Sequence, residues 1–445
     1  MLRTANLKST QSSAALVADA EARFTQSHPE SRKQFSAAAS FMPGGNTRSV
    51  LYYDPFPVVM LRGQGCRLWD LDGREYVDFL GEFTAGIYGH SHPVIRQAIT
   101  EAMANGLNLT AHNVLEATLA RVLCERFPSI ELVRFTNSGT EANLLALSAA
   151  KAFTRRAKVL AFKGAYHGSV LSFGKKGGEL NVPHEFVIAS YNDIEGARKA
   201  IRECAHHLAA VIVEPMLGAG GCIPGSPEFL RMLREVTEEV GALLICDEVM
   251  TSRLGRHGMQ HELGIKADLT TLGKYIGGGS SIGAFGGRAA VMNLFDPRQP
   301  LALHHAGTFN NNVISMAAGA AGLTQIYTGA EADALNARGE RLRQRLNEAC
   351  ARKGASLQFT GLGSLMNAHA RSEPIVRPEE GDEREQTIKA LLFFHLLERG
   401  FYIARRGFIA LSLMIGEQEI DGLVDAVEEF LERYERLCCR SGLDA

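Results

Sequence analysis

Residues Thr270–Gly279 read TTLGKYIGGG. The alternating first half suits a strand, and the three glycines end it. That leaves Lys274 at the strand's end. A lysine there can be a solvated loop residue, a phosphate binder, or an amine held to attack a carbonyl. The pattern G-x-x-x-x-G-K-[ST] is absent, which disfavours a nucleotide-phosphate loop. In parallel sheets the chemistry gathers beyond the C-terminal ends of the strands, so the neighbouring strand ends have to decide.

Working outward, strands and helices alternate from about Asp78 to Gly329. A helix at 113–127 precedes LVRFTN, and a helix from Thr140 precedes KVLAF. A helix near 193–208 then precedes AAVIVEP, and a helix at 227–240 precedes ALLICDEV and LTTLGK. Short, nearly continuous apolar strands between helices predict an α/β fold, with a mainly parallel sheet covered on both faces. The division expected is an N-terminal segment 1–77 belonging to a small domain, a large domain 78–329, and a C-terminal α+β part, 330–445. Segment 1–77 reads as a short disordered arm, one or two helices from Ala14 ended by Pro43-Gly44-Gly45, and short strands turning at Asp72-Gly73.

Composition narrows the function. With 445 residues, 46% hydrophobic, the chain can bury a large core. Its 47 basic and 49 acidic residues leave a net charge of −2, which gives no electrostatic reason to expect nucleic acid or anionic membrane as partner. The 8 cysteines form no C-x-x-C pair, and the 14 histidines include no H-E-x-x-H, so neither a disulfide framework nor a metal site is expected. No apolar run is long enough to span a bilayer and no secretory signal is evident, so the expected location is cytoplasmic.

Four motifs fall at the expected strand ends. FTNSGTEAN (135–143) is a strand, a Ser-Gly-Thr turn and a helix start. The backbone N–H groups and the hydroxyls of Ser138 and Thr140, with Gly139 between them, suit a phosphate; a plain helix cap is the alternative. In LLICDEVMTS (243–252), Asp247 follows a run of hydrophobes and needs a cationic or N–H partner. FKGAYHGSV (162–170) brackets Tyr166 and His167 with glycines. Tyr166 can lie flat on a planar ligand, while His167 alone reads as loop packing. A lysine at a strand end, an acid 27 residues earlier (274 − 247), a stacking aromatic and a phosphate cup together suit pyridoxal phosphate.

NSGTEAN, YHG, VEP, DEV, TLGKYIGGG and GTFNNN together resemble a class III pyridoxal-phosphate aminotransferase of fold type I, over nearly the whole chain. FMPGGNTRSV is similar to the glutamate-1-semialdehyde aminomutase branch. EFTAGIYGHSHP, NLTAHN and RRGFIALSL are similar to the β-amino acid aminotransferases of the β-phenylalanine type. The resemblance implies a seven-stranded, mainly parallel sheet in the large, cofactor-binding domain and a homodimer with shared active sites.

It implies roles residue by residue. Lys274 links to the cofactor and later moves the proton. Asp247 keeps the pyridine nitrogen protonated, Tyr166 stacks on the ring, and Val249 or Met250 packs on its other face. Ser138, Gly139 and Thr140 hold the phosphate, Thr308 completes the cup from the partner subunit, and Glu214 supports the site. Arg48 receives the substrate carboxylate and Arg406 the α-carboxylate of the keto acid, with Arg405 the solvated neighbour or the reverse. Where related enzymes carry a proline beside this arginine, Arg405 stands here.

The expected reaction moves the amino group of an aromatic or apolar β-amino acid to a keto acid such as 2-oxoglutarate or pyruvate, ping-pong through pyridoxamine phosphate. One alternative is a 2,1-aminomutase of the glutamate-1-semialdehyde type, which needs no second basic site at Arg406. The other is a non-catalytic cofactor-binding protein, which would not need Lys274 and Asp247.

Overall fold

The computed structural model describes residues 12–174, 178–379 and 381–439. The first part of the expected N-terminal arm, residues 1–11, lies outside the described residues. Seven strands form the central sheet, in the order 132–136, 283–287, 269–273, 243–247, 208–213, 158–162, 185–189. All pairings within 185–189, 158–162, 208–213, 243–247 and 269–273 are parallel, and only 283–287 runs against its two neighbours.

The apolar strands are hydrophobic on both faces because helices cover both. The two-residue period sends Leu160, Val211 and Leu244 to one face, where they pack with Phe229, Leu233 and Ile201 of helices Pro227–Val240 and Ile194–Glu203. Val159, Ile212 and Ile245 point the other way and meet Ala146, Leu147 and Ala150 of helix Gly139–Thr154. Helix Ile194–Glu203 is shorter than its pattern, since residues 204–207 turn the chain into the next strand.

Two strands of the central sheet went unread in the sequence. Glu185–Ala189 is an edge strand with a mixed pattern. Gly283–Gly287, GAFGG, lacks the β-branched residues that mark a strand. Its glycines serve close approach: a Cβ on Gly286 would sit 2.6 Å from the Leu132 carbonyl oxygen.

Segments from the N- and C-terminal parts pair outside this sheet. Strands Met60–Gln64, Arg67–Asp70 and Glu75–Asp78 form a sheet completed by Phe401–Tyr402, and Gln358–Leu362, Leu365–His369 and Phe408–Ala410 form another. The tight turn at Asp72-Gly73 does join two antiparallel strands, with Gly73 at φ +80°. Among the described residues, no helix is long and apolar enough to cross a membrane.

Candidate active site

The strand Leu269–Gly273 delivers Lys274 to the end of the sheet in a left-handed conformation, φ +57°. A non-glycine residue held there costs about 1–3 kcal/mol, a strain typical of functional positions. Burial pushes the lysine amine down to about 8, against the opposing pull of Asp247 and Glu214. Arg406 and Arg253 push it the same way as burial. An amine at about 8 is far more often neutral near pH 7 than an ordinary lysine.

Asp247 ends the neighbouring strand, Leu243–Asp247, and is buried. One carboxylate oxygen, Oδ2, takes His167 Nδ1 at 2.7 Å and Asn143 Nδ2 at 2.8 Å. The other, Oδ1, takes the Val249 backbone N–H at 3.0 Å, which leaves it a lone pair for a further donor. Asn143 is fixed in turn by Thr271 Oγ1, which donates to its Oδ1 at 2.6 Å, and it donates to the His167 carbonyl at 2.9 Å.

His167 therefore corrects the reading as loop packing. Its ring is 1% exposed and orients the acid. The stretch after strand Lys158–Phe162, flanked by Gly164 and Gly168, carries it to Asp247, a contact that one-dimensional spacing does not reveal. Asn143 and Thr271 were missed as well. Asn143 is the one buried polar side chain among Ala142, Ala146 and Leu147 on the inner face of its helix. That interruption of an apolar face was the available signal.

Glu214 follows the strand Leu208–Val213. Its Oε1 accepts from the Tyr166 backbone N–H at 2.9 Å and its Oε2 from that of Gly218 at 3.0 Å. Burial pushes this carboxyl up to about 7, and Asp247 adds to the rise, while His167 opposes it. Tyr166 is 45% exposed; burial raises its phenol, with Arg48 opposing and Glu214 adding to the rise.

The Ser-Gly-Thr turn opens helix Gly139–Thr154. Ser138 caps it, with Oγ accepting from Glu141 N at 3.2 Å. A Cβ on Gly139 would lie 2.8 Å from Val249, so glycine lets the helix's first turn press against the loop after Asp247. Val249 thus stands beside the cup and the Lys274 strand end. Met250 points elsewhere, into a cluster with Cys222, Phe408 and Ala410.

The residues fit pyridoxal phosphate: a lowered amine, a buried acid with an open lone pair, and a helix N-terminus whose dipole and hydroxyls suit a dianion. Thr308 makes no side-chain hydrogen bond to Ser138, Gly139 or Thr140 among the described residues. It lies exposed on the turn 307–310, tied nearby through Asn137 Nδ2, which donates to Asn310 Oδ1 at 3.1 Å.

Two arginines reach the open side. Arg48 pairs with Glu82 and lies with its guanidinium 5.7 Å from the Phe83 ring centre. Arg406 lies 5.8 Å from the same ring and 5.2 Å from Phe408, and donates to the Ala219 carbonyl at 2.6 Å. Arg405 points the other way, over Phe394 and toward Glu21 and Asp54.

The family model for class III aminotransferases matches residues 51–431. A β-phenylalanine transaminase of Variovorax paradoxus is 55% identical over 426 residues, 96% of this chain and 98% of that protein. A glutamate-1-semialdehyde 2,1-aminomutase of Desulforudis audaxviator is 38% identical, over 91% of this chain and 98% of its own. Among solved structures, a β-phenylalanine aminotransferase from Variovorax paradoxus superposes with a TM-score of 0.95 at 54% identity, covering 97% of this chain and all of that one.

Proposed function

We propose that the amino donor is an aromatic or apolar β-amino acid, on the premise that the chain belongs to the class III aminotransferases and binds pyridoxal 5′-phosphate. The acceptor is a keto acid such as 2-oxoglutarate or pyruvate. The cofactor supplies a carbonyl that takes up the amino group and a ring that accepts electron density.

The rest is work for the chain's own residues. Lys274, neutral in a useful fraction near pH 8, is the residue that would hold the cofactor at that carbonyl, and its amine would move the proton at the substrate carbon. Asp247 holds a proton on the ring nitrogen, and the charge it stabilises there matters most when the carbon is electron-rich. Ser138, Gly139 and Thr140 bind the phosphate, and Tyr166 and Val249 bracket the ring.

The observation that carries the choice of donor is the pair of guanidiniums, Arg48 and Arg406, on one aromatic ring, Phe83. A β-amino acid places its carboxylate one carbon farther from the nitrogen than an α-amino acid does. With the nitrogen fixed at the cofactor, one rigid cation cannot serve both, and two can: Arg48 for the donor and Arg406 for the α-carboxylate of the acceptor. A mutase, working within one molecule, has no use for the second.

A homodimer completes the picture. Thr308 and Phe309 are exposed on one turn, and Val114, 81% exposed, adjoins that turn through Asn113 Nδ2, which donates to the Asn311 carbonyl at 3.0 Å. An apolar surface there suits a second copy whose cup Thr308 reaches. The free thiols suit a cytoplasmic enzyme. We keep the division into an N-terminal segment 1–77, a large domain 78–329 and a C-terminal part 330–445; the pairing of strand Glu75–Asp78 with Phe401–Tyr402, apart from the central sheet, supports joining the first and last of these.

A panel of α-, β- and ω-amino donors against keto acid acceptors tests the reading. Turnover is expected to be fastest with aromatic β-amino acids. Faster turnover with α-amino acids, or amino migration within glutamate-1-semialdehyde without any acceptor, would overturn it.

A further inference from the structure

Arg253 is fully buried, at 0% exposure, and pairs with no carboxylate among the described residues. A guanidinium in that position is costly to desolvate unless its donors are used. Two of them are. Nη1 donates to the Thr84 carbonyl at 3.4 Å, and Nη2 donates to the Leu411 carbonyl. Its own backbone carbonyl accepts from Tyr327 Oη at 2.7 Å and Asn336 Nδ2 at 2.9 Å, which fixes the base of the side chain.

The two carbonyls belong to the segments that wall the substrate side. Thr84 closes a run of four residues with left-handed φ: Gly81 +54°, Glu82 +49°, Phe83 +51° and Thr84 +85°. Glu82 is the partner of Arg48, and Phe83 lies against both Arg48 and Arg406. Leu411 follows strand Phe408–Ala410, whose Phe408 lies against Arg406. Three consecutive non-glycine residues in the left-handed region persist only where the surroundings over-determine them. Arg253 is part of those surroundings. It sits six residues after Asp247 (253 − 247), at the end of the loop that carries Val249 and Met250.

We propose that Arg253 is a positioning residue for substrate recognition: from behind the site it ties the 81–84 run and the 408–411 segment to the loop after Asp247, and so sets the spacing of Arg48 and Arg406. The side-chain hydrogen bonds of Arg253 go to the Thr84 and Leu411 carbonyls. Its charge is needed because two backbone carbonyls, held apart on different segments, must be drawn to one planar fork. The inference rests on the reading of Arg48 and Arg406 as the two carboxylate sites.

The test compares Arg253→Lys and Arg253→Met holoenzyme with the parent. Lysine offers one point charge and can satisfy one carbonyl well, while methionine fills the space with no donor. In Arg253→Lys, KM for a β-amino donor and for 2-oxoglutarate should each rise about tenfold or more, with kcat falling less than threefold and the cofactor's visible band unchanged. Backbone hydrogen exchange should rise in 81–86 and 408–413, and not in 138–141. Arg253→Met should show the same pattern more strongly; if it fails to fold, the lysine variant decides alone.

Unchanged KM values, or a fall in kcat with both KM values intact, would overturn the proposal. So would faster exchange spread evenly through the site. Arg48→Ala and Arg406→Ala separate the two layers. If neither raises a KM, the carboxylate reading fails. If both do and Arg253→Lys does not, only the positioning role fails.

Discussion

The floor and the roof of this site are built by different physics. The floor is the row of strand ends with Lys274, Asp247 and Glu214 and the helix start at Ser138–Thr140. Its acids are buried and fully oriented: Asp247 by His167, Asn143 and a backbone N–H, Glu214 by two backbone N–H groups. The roof is Arg48, Glu82, Phe83 and Arg406. There the Arg48–Glu82 pair is about half exposed, at 42% and 58% for the two side chains, and the backbone is strained. Low local dielectric makes the floor's charges strong and intolerant of change. Exposed pairs contribute little to stability, so the roof is free to vary with the substrate. On the proposed function, reaction chemistry belongs to the floor and choice of substrate to the roof.

Substitutions can break that assignment. The largest effect belongs to Lys274→Ala. Turnover should vanish while the protein folds and still holds the cofactor noncovalently, judged by a shifted visible band and an unchanged melting profile. Activity and band both intact would remove Lys274 from the chemistry.

Asp247→Asn comes next. Loss of the anion opposite the ring nitrogen acts mainly on the electron-rich state at the substrate carbon. A fall in kcat of at least about a hundredfold is expected, roughly 2.7 kcal/mol, with modest loss of cofactor. A change under about tenfold would make Asp247 a structural acid and erase the floor's distinction.

The smallest floor effect is one of pH. The apoenzyme's capture of cofactor requires neutral Lys274, so its rate should climb with pH through about 8 and then level. Glu214, itself pushed up to about 7, is ionised above that value and favours the lysine's charged form. Glu214→Gln removes that pull and should move the limb to lower pH. Stopped-flow capture across pH 6–10 reads it. A limb that stays put or moves up would show that Glu214 does not act on Lys274.

The same contrast explains what the sequence disclosed. Floor residues sit in short motifs because a strand end and the turn after it are contiguous, so the positions of Ser138–Thr140, Asp247 and Lys274 at strand ends could be read from the sequence. The partners that orient them were less so. His167 lies 80 residues from Asp247 in the chain and reaches it only through the sheet's order. Strand Gly283–Gly287 was hidden because close packing demanded glycines where a strand usually shows β-branched residues. The roof was legible only through resemblance. Which of Arg405 and Arg406 faces the site depends on side-chain direction, and the structure turns Arg405 toward Glu21 and Asp54. The left-handed run at 81–84 has one glycine, Gly81, and no turn signature that would forecast the rest.

The central claim is that donor and acceptor carboxylates use different arginines. Single-turnover traces of the cofactor band, taken with a β-amino acid alone and with 2-oxoglutarate alone, test it in Arg48→Ala and Arg406→Ala. Where a bound substrate covers the contact and excludes water, losing one such arginine costs roughly 2–5 kcal/mol. Arg48→Ala should slow the donor half-reaction about tenfold more than the acceptor half-reaction, and Arg406→Ala should show the opposite bias. Equal losses in both half-reactions for both variants would mean one shared carboxylate site, and would contradict the account.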